Sequence, residues 1–353
     1  ENTNPIITIS IIKEKPLWKK TLSEVDNYDF YHTYDYHNLS KSDNATIVLL
    51  KYSENDALIC LPLIIRPIEG TPYFDATSVY GYAGPITKNV DAHFNNTNFK
   101  KTIDAFLLEE NIISVFSRLN PFINNQQVIL KNIGVINDLG DIVYIDLEQS
   151  SKDQINTFSN TTKRYLNKGL KHLEIKKSNN LKVLEAFIDL YYENMNRVNA
   201  NKKYFFKKEY FLDLLNSKDF KTEIVYAVEK NSEIILSAAL MIKTNNIIQY
   251  HLSGTHINSL HLSPLRSLIN KVIIDNSDSN FKNFNLGGGL DNKQDNLFNF
   301  KSSISDKCKP FKVWTYILDE KIYNELVHTK NLNPNTDSNY FPKYRFNEKV
   351  NNL

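Results

Sequence analysis

Asn285–Lys301 reads NLGGGLDNKQDNLFNFK, and the elements on either side of this run set the fold class. Three of the chain's ten glycines stand together at Gly287, Gly288 and Gly289. They separate Phe281 to Leu286, which reads as a short strand, from a helix that ends near Phe300. Glycine tolerates positive φ and close approach of another backbone, and a helix start behind it offers free N–H groups to a negative centre. A tight turn that needs no ligand accounts for the same residues. Leu297, Phe298 and Phe300 dock the helix and leave Lys301 at its C-terminal end. There the lysine either complements the helix dipole or supplies a fixed ammonium for the charge that develops when an amine attacks an ester or thioester.

Working upstream, Pro264 opens a helix with the apolar face Leu265, Leu268, Ile269, Val272 and Ile273. Ahead of it Glu223 to Glu229, Glu233 to Lys243 and Ile247 to Ser253 read as a meander, with Asn245-Asn246 as a hairpin turn. Three helices precede the meander: a polar, basic one over Ser151 to His172, a 3.6-periodic one over Leu181 to Asn196, and a third over Lys208 to Leu215. Downstream of the glycine run, Pro310 to Leu318 reads as a strand. The first half holds strands at Ile6 to Ile12, Thr46 to Tyr52, Ala57 to Ile65 and Ile112 to Arg118, and Asp141 to Leu147 closes it. Helices, then a meander, then helix, strand, helix, strand is an α+β order and not a Rossmann alternation. No GxGxxG or Walker sequence supplies a phosphate cradle for hydride or phosphoryl transfer. The composition shift near Gln149 predicts domains over 1–148 and 149–330, with a tail over 331–353.

With 353 residues, 41% hydrophobic and 23% charged, the chain has the composition of a soluble globular protein. A net charge of +2 argues against coating of nucleic acid, and no DNA partner is expected. Cys60 and Cys308 form neither a disulfide framework nor a zinc cluster. No apolar run reaches the length of a transmembrane helix, so at most a peripheral membrane contact is expected. The first residues, ENTNPIITIS, lack the basic and apolar regions of a secretion signal, which makes the cytoplasm the default location.

Further candidates lie outside the glycine run. Lys163, Arg164, Lys168, Lys171 and His172 fall at helical spacings that gather much of the charge on one face. The stretch is either a solvated face or a phosphate site, with Arg164 best suited to a bidentate contact. Arg118, in FSRLNP, is a second anion candidate, or else a partner for loop carbonyls. Tyr80 and Tyr82, in SVYGYAGP, either line a cleft or pack as strand and turn. His251, His256 and His261 recur every five residues, which suits neither a helix face nor a strand face, so no metal site is expected. Without a G-x-S-x-G elbow or a histidine partner for Cys308, no covalent acyl-enzyme is supported.

Several segments together resemble the FemA/FemB/FemX aminoacyltransferases and their polysaccharide-biosynthesis relatives. They are DFYHTYDYHNLS (Asp29 to Ser40), SVYGYAGP (Ser78 to Pro85), TKRYLNKGLK (Thr162 to Lys171), the stretch Tyr192 to Phe211 with Arg197 and Tyr204, NLGGGLDNKQDNLFNFKSSIS (Asn285 to Ser305) and YFPKYR (Tyr340 to Arg345). The resemblance implies two tandem GNAT-like domains (acyl-CoA N-acyltransferase type) with mixed, mainly antiparallel sheets, and a tail that returns to the first domain. It implies transfer of an aminoacyl or acyl group to an amine of a cell-envelope precursor, a peptidoglycan peptide or an amino sugar. Phe300 and Lys301 fall on the family's catalytic pair, and Lys163, Arg164 and Lys168 on its basic segment, where phosphates of a nucleotide- or lipid-linked acceptor, or of tRNA, would bind. Arg118, Tyr80, Tyr82, Arg197, Tyr204 and Gly287 to Gly289 complete the expected substrate-binding set. No tightly bound cofactor is implied; the donor is aminoacyl-tRNA or acyl-CoA. The chain departs from the pattern at His261-Leu262-Ser263-Pro264-Leu265-Arg266, which has no glycine where acyl-CoA enzymes cradle a pyrophosphate, and it has no counterpart of the helical hairpin that some tRNA-using members insert. An acyl-CoA-dependent N- or O-acyltransferase of a sugar, and an inactive binding protein built on the same shell, are the alternatives.

Overall fold

The structure, a computed structural model, describes residues 3–330 and 339–346. The chain forms two compact units, Glu1–Leu139 with Phe311–Leu353, and Gly140–Pro310. The first begins with β1 (Ile7–Ile12), α1 (Lys15–Leu22), α2 (Tyr34–Ser40), β2 (Thr46–Glu54), β3 (Ala57–Pro67), β4 (Phe74–Thr77) and β5 (Ile86–Lys88). It continues through α3 (Thr97–Glu109), β6 (Ile112–Arg118) and α4 (Gln126–Leu130). The chain passes into the second unit along β7 (Val135–Asp146). There follow α5 (Ser151–Asn156), α6 (Asn160–His172), β8 (Leu173–Ser178), α7 (Leu181–Arg197), α8 (Lys208–Asn216) and the strands β9 (Lys221–Glu229), β10 (Ile235–Thr244) and β11 (Ile247–Thr255). Next come α9 (Pro264–Asn276), β12 (Asn283–Gly287) and α10 (Asn296–Ser302). The return is made along β13 (Lys307–Ile317), and α11 (Glu320–Thr329) follows it.

In the first unit the strands run in the order β1-β2-β3-β4-β6-β13, with β5 on β3, and only β4 and β6 are parallel. The predicted hairpin turns at Asn55, whose positive φ of 56° suits asparagine, and pairs Thr46 with Ile65 through to Glu54 with Ala57. Two-residue alternation then places Val48, Leu50 and Tyr52 with Ile59, Leu61 and Leu63 in one core, closed by Phe99, Ile103 and Phe106 of α3. The second unit runs β7-β12-β11-β10-β9-β8, again with a single parallel pair, β11 with β12. Its core gathers Val143 and Ile145, Ala239 and Met241, Phe284 and Leu286 against Leu268, Ile269, Val272 and Ile273 of α9. Each unit is thus a mostly antiparallel sheet with one parallel pair and helices packed on it, the α+β class expected from the sequence.

The division of the chain differs from 1–148 and 149–330. Asp141 to Leu147, expected to close the first domain, puts Val143, Ile145 and Leu147 into the core of the second. The strand over Pro310 to Leu318, expected in the second domain, contributes Trp314 to the core of the first. A strand's sequence carries its faces but not its sheet, so a boundary that falls inside β7 and β13 leaves no compositional mark. Of the tail 331–353 only 339–346 are described; Tyr344, 1% exposed, packs with Ile68, Ile113, Tyr323 and Leu326 and donates its hydroxyl to Asp75, 2.9 Å away. The predicted helix over Ser151 to His172 is two helices, because Ser159 accepts from the Thr162 N–H and starts α6 anew.

Candidate functional site

Within the second unit β11 and β12 pair only from Ile247 and Asn283 to Gln249 and Asn285, after which β11 runs on to Thr255 without that neighbour. Two residues beyond the last pair, His251 is an extra residue in β11: Leu240 faces Leu252 and Met241 faces Tyr250, with His251 between them. Such a bulge turns a strand away from its neighbour, and the two parallel strands part here. Asn285 lies where they part. It is fully buried, its Oδ1 accepts from the Gly287 N–H at 2.8 Å, and its Nδ2 has no partner among the described residues. His251 Nε2 lies 2.9 Å from the Tyr210 hydroxyl of α8, and burial pushes this imidazole down to about 4, so it is neutral at physiological pH. The Tyr250 hydroxyl, pushed up to about 12 by burial, donates to Ser253 at 2.5 Å.

The glycine run follows the end of β12. Gly287 has φ of 78°, which few other residues adopt, and a Cβ on Gly289 would overlap the Lys293 carbonyl and the Asp295 carboxylate. The run therefore closes a loop upon itself and does not lead directly into a helix: a 3-10 turn over Leu290–Asn292 intervenes. The free N–H groups expected behind the glycines are taken by Asp295, whose carboxylate accepts from Phe298 N at 2.9 Å and Leu290 N at 3.0 Å. The Phe298 N–H foremost holds this carboxyl below its usual range.

Lys301 is 7% exposed and reaches back to the run, donating to the Gly288 carbonyl at 2.6 Å. Burial lowers its pKa to about 8, against a smaller raising effect of Asp295. It is therefore not the solvated partner of a helix dipole. Its neighbour Phe300 packs on the core of the second unit and carries the Arg266 guanidinium 4.7 Å above its ring. Arg266, in the first turn of α9, donates to Thr162 at 3.0 Å, to Ser303 at 3.2 Å and to Ser263, and also lies 5.1 Å from the Tyr165 ring. One side chain thus ties α6, α9 and α10 together, and it was absent from the residues expected from sequence.

Of the basic segment, Lys168 is committed to the His261 carbonyl at 3.1 Å, while Arg164 is exposed, 5.5 Å from the same Tyr165 ring that Arg266 faces. Among the described residues no carboxylate pairs with Lys163, Arg164, Lys168 or Arg266. A Cβ on Gly169 would strike Ser267, which shows how closely α6 lies against α9. At the start of α9, Pro264 has no N–H, Ser263 N is bonded to Leu260 O at 3.0 Å and Arg266 N to Ser263 O at 3.2 Å. Few backbone donors are left there for a pyrophosphate. Arg197, at the end of α7, donates to Thr255 O at 3.3 Å and to Asn194. Tyr204 accepts from the Tyr191 hydroxyl at 2.7 Å through its carbonyl, and Lys203 sits 5.2 Å from its ring.

Arg118, Tyr80 and Tyr82 belong to the first unit. Arg118 stacks between Tyr80, at 4.5 Å, and Phe311, at 5.9 Å, and Tyr82 meets the same Phe311 edge-on at 5.1 Å. The expected substrate-binding residues are thus divided between the two units.

Two tandem units of this topology define a class, the double GNAT-like fold. Among solved structures that share it, FemX superposes with a TM-score of 0.69 at 12% identity, over 90% of this chain and 99% of that one. A conserved protein of unknown function from Bacteroides thetaiotaomicron matches at 0.58 and 9% identity, over 88% and 100%. The C-terminal domain of a putative lysylphosphatidylglycerol synthetase from Agrobacterium fabrum matches at 0.53 and 12%, over 88% and 94%. The sequence itself matches no protein-family profile and no curated protein.

Proposed function

We propose that this chain is an acyltransferase that moves an aminoacyl or acyl group from an activated donor to an amine of a cell-envelope precursor, without a covalent enzyme intermediate. The observation that carries the reading is Lys301, a buried lysine with a pKa lowered to about 8, hydrogen-bonded to the Gly288 carbonyl beside parting parallel strands. A solvated lysine would do nothing unusual at neutral pH; a desolvated one is attuned to charge that appears during a reaction. In the reaction the neutral amine attacks the donor carbonyl, a C–N bond forms, and the C–O or C–S bond to the carrier breaks. Lys301 steadies the oxyanion of the tetrahedral state, Phe300 shapes the pocket wall, and the proton lost by the amine passes to water or to the departing carrier.

Phosphates of the donor or acceptor meet side chains, with Arg164, Lys163 and Arg266 supplying uncompensated positive charge. The scarcity of backbone donors around Pro264 favours aminoacyl-tRNA over acyl-CoA as donor. The acceptor is a nucleotide- or lipid-linked precursor, and the family resemblance supports a peptide or amino-sugar amine. Mass spectrometry of envelope precursors with and without the gene should show the loss of one amide-linked residue or acyl group. With the acceptor in hand, Lys301→Met should lower kcat by about 10²-fold or more with KM nearly unchanged; wild-type turnover would remove Lys301 from the mechanism. Saturable binding of coenzyme A in calorimetry would overturn the choice of donor.

A further inference from the structure

The first unit's sheet ends at β1, which pairs with β2 alone among the described residues. Its sequence, ITISII, has no charge, no proline and no bulge, and Ile7, Ile9 and Ile11 are 38%, 38% and 42% exposed. End strands are ordinarily guarded against further pairing by charge. β8, which ends the second unit's sheet, is guarded in this way by Glu174, Lys176 and Lys177. β1 is not.

The hydrogen-bonding phase of β1 gives the open edge a definite pattern. Ile6 turns both main-chain groups toward β2, its carbonyl accepting from Asn55 N at 3.0 Å and its N–H donating to Asn55 Oδ1 at 3.2 Å. By the two-residue repeat Thr8, Ser10 and Ile12 face β2 as well, and the N–H and C=O groups of Ile7, Ile9 and Ile11 point outward.

We propose that β1 is a homotypic docking edge, at which a second copy of this chain adds its own β1 antiparallel about a two-fold axis through Ile9. The occupant is chosen by self-complementarity. With Ile9 opposite Ile9 of the partner copy, Ile7 meets Ile11 and Thr8 meets Ser10, so apolar residues face apolar ones and hydroxyls face hydroxyls. All three outward-pointing residues fall in hydrogen-bonded positions, which yields about six main-chain bonds, two for each such pair. An unrelated extended peptide could use the edge; a copy of the chain brings the matching register and the two-fold symmetry together.

The test is sedimentation equilibrium of the full chain up to roughly 100 µM, enough to populate an interface of micromolar affinity. The wild-type mass should double with concentration. Ile9→Pro removes an N–H that β2 does not use, so it should leave the melting temperature and near-UV spectrum unchanged and hold the chain monomeric. Ile9→Lys sets two ammonium groups face to face on the axis and should do the same should the proline variant fold poorly. Thr8→Cys with Ser10→Cys, in a Cys308→Ser background that removes the exposed native thiol, should give a covalent dimer on mild oxidation. A wild-type chain that stays monomeric throughout, or a dimer that survives both Ile9 variants, overturns the proposal.

Discussion

Lys301 is a residue whose environment works against its own charge. Lowering its pKa from 10.5 to about 8 corresponds to roughly 3 kcal/mol against the ammonium form. Because the folded pKa lies below the unfolded one, this cost is present in full below pH 8 and is relieved as pH rises from about 8 toward 10.5. Lys301→Met should therefore melt no lower than wild type at pH 7, and any advantage should shrink across that window, as measured by thermal denaturation at several pH values. Arg266 is a second cation whose charged form burial disfavours, held by neutral hydroxyls and aromatic faces. Arg266→Met should lower stability by about 1–3 kcal/mol in urea denaturation, and Arg266→Lys should recover only part of it because an ammonium cannot span Thr162, Ser263 and Ser303 at once. Lys301 could be singled out in the sequence because it stands beside a glycine run and a docked helix. Arg266 could not: Thr162 is 104 positions away and Ser303 is 37, and no local pattern announces either contact.

At the scale of elements, the loop between β12 and α10 is shaped by contacts within itself. Gly289→Ala would drive a methyl group into the Lys293 carbonyl and Asp295, displacing the strut that caps α10. The expected result is a loss of about 1–3 kcal/mol in urea denaturation together with a fall in kcat, since the Gly288 carbonyl that holds Lys301 moves with the loop. The long helices α7 and α9 were readable because one apolar face repeats in the sequence, and β2 and β3, buried on both faces over most of their length, because they are apolar runs bounded by polar turns. β8 was not, since LEIKKS is an edge strand whose charges make it look like a connector. The parting of β11 from β12 was equally hidden, because a bulge is a mismatch between two strands and His251 carries no mark of it alone.

Across the whole molecule, the first unit carries an acid sensitivity of its own. His32 accepts from Asp29 N at 3.0 Å through Nδ1, His37 bonds Thr33 O at 2.8 Å through its Nδ1, and burial pushes the two imidazoles down to about 4 and about 3. The unfolded chain takes up protons near pH 6.5 that the folded unit refuses, so stability should fall as pH drops from about 6.5 toward 4. Both tryptophans of the chain, Trp18 and Trp314, lie in this unit, so their fluorescence follows its unfolding. Urea titrations read by that signal should show a steep loss of stability over this range, and His37→Gln should flatten it. A pH-independent midpoint would count against the buried imidazoles as the cause.

The sequence by itself determined the α+β class and most of the helices and strands, because these rest on local composition or on periodicity along one segment; the tandem arrangement was implied by a resemblance spread over several segments. Tertiary structure alone decided which unit β7 and β13 serve, that Asp295 takes up the N–H groups behind the glycines, that Lys168 is occupied and Arg266 is central, and that β1 ends its unit's sheet among the described residues. These depend on which distant groups meet, and on how much water they lose when they do.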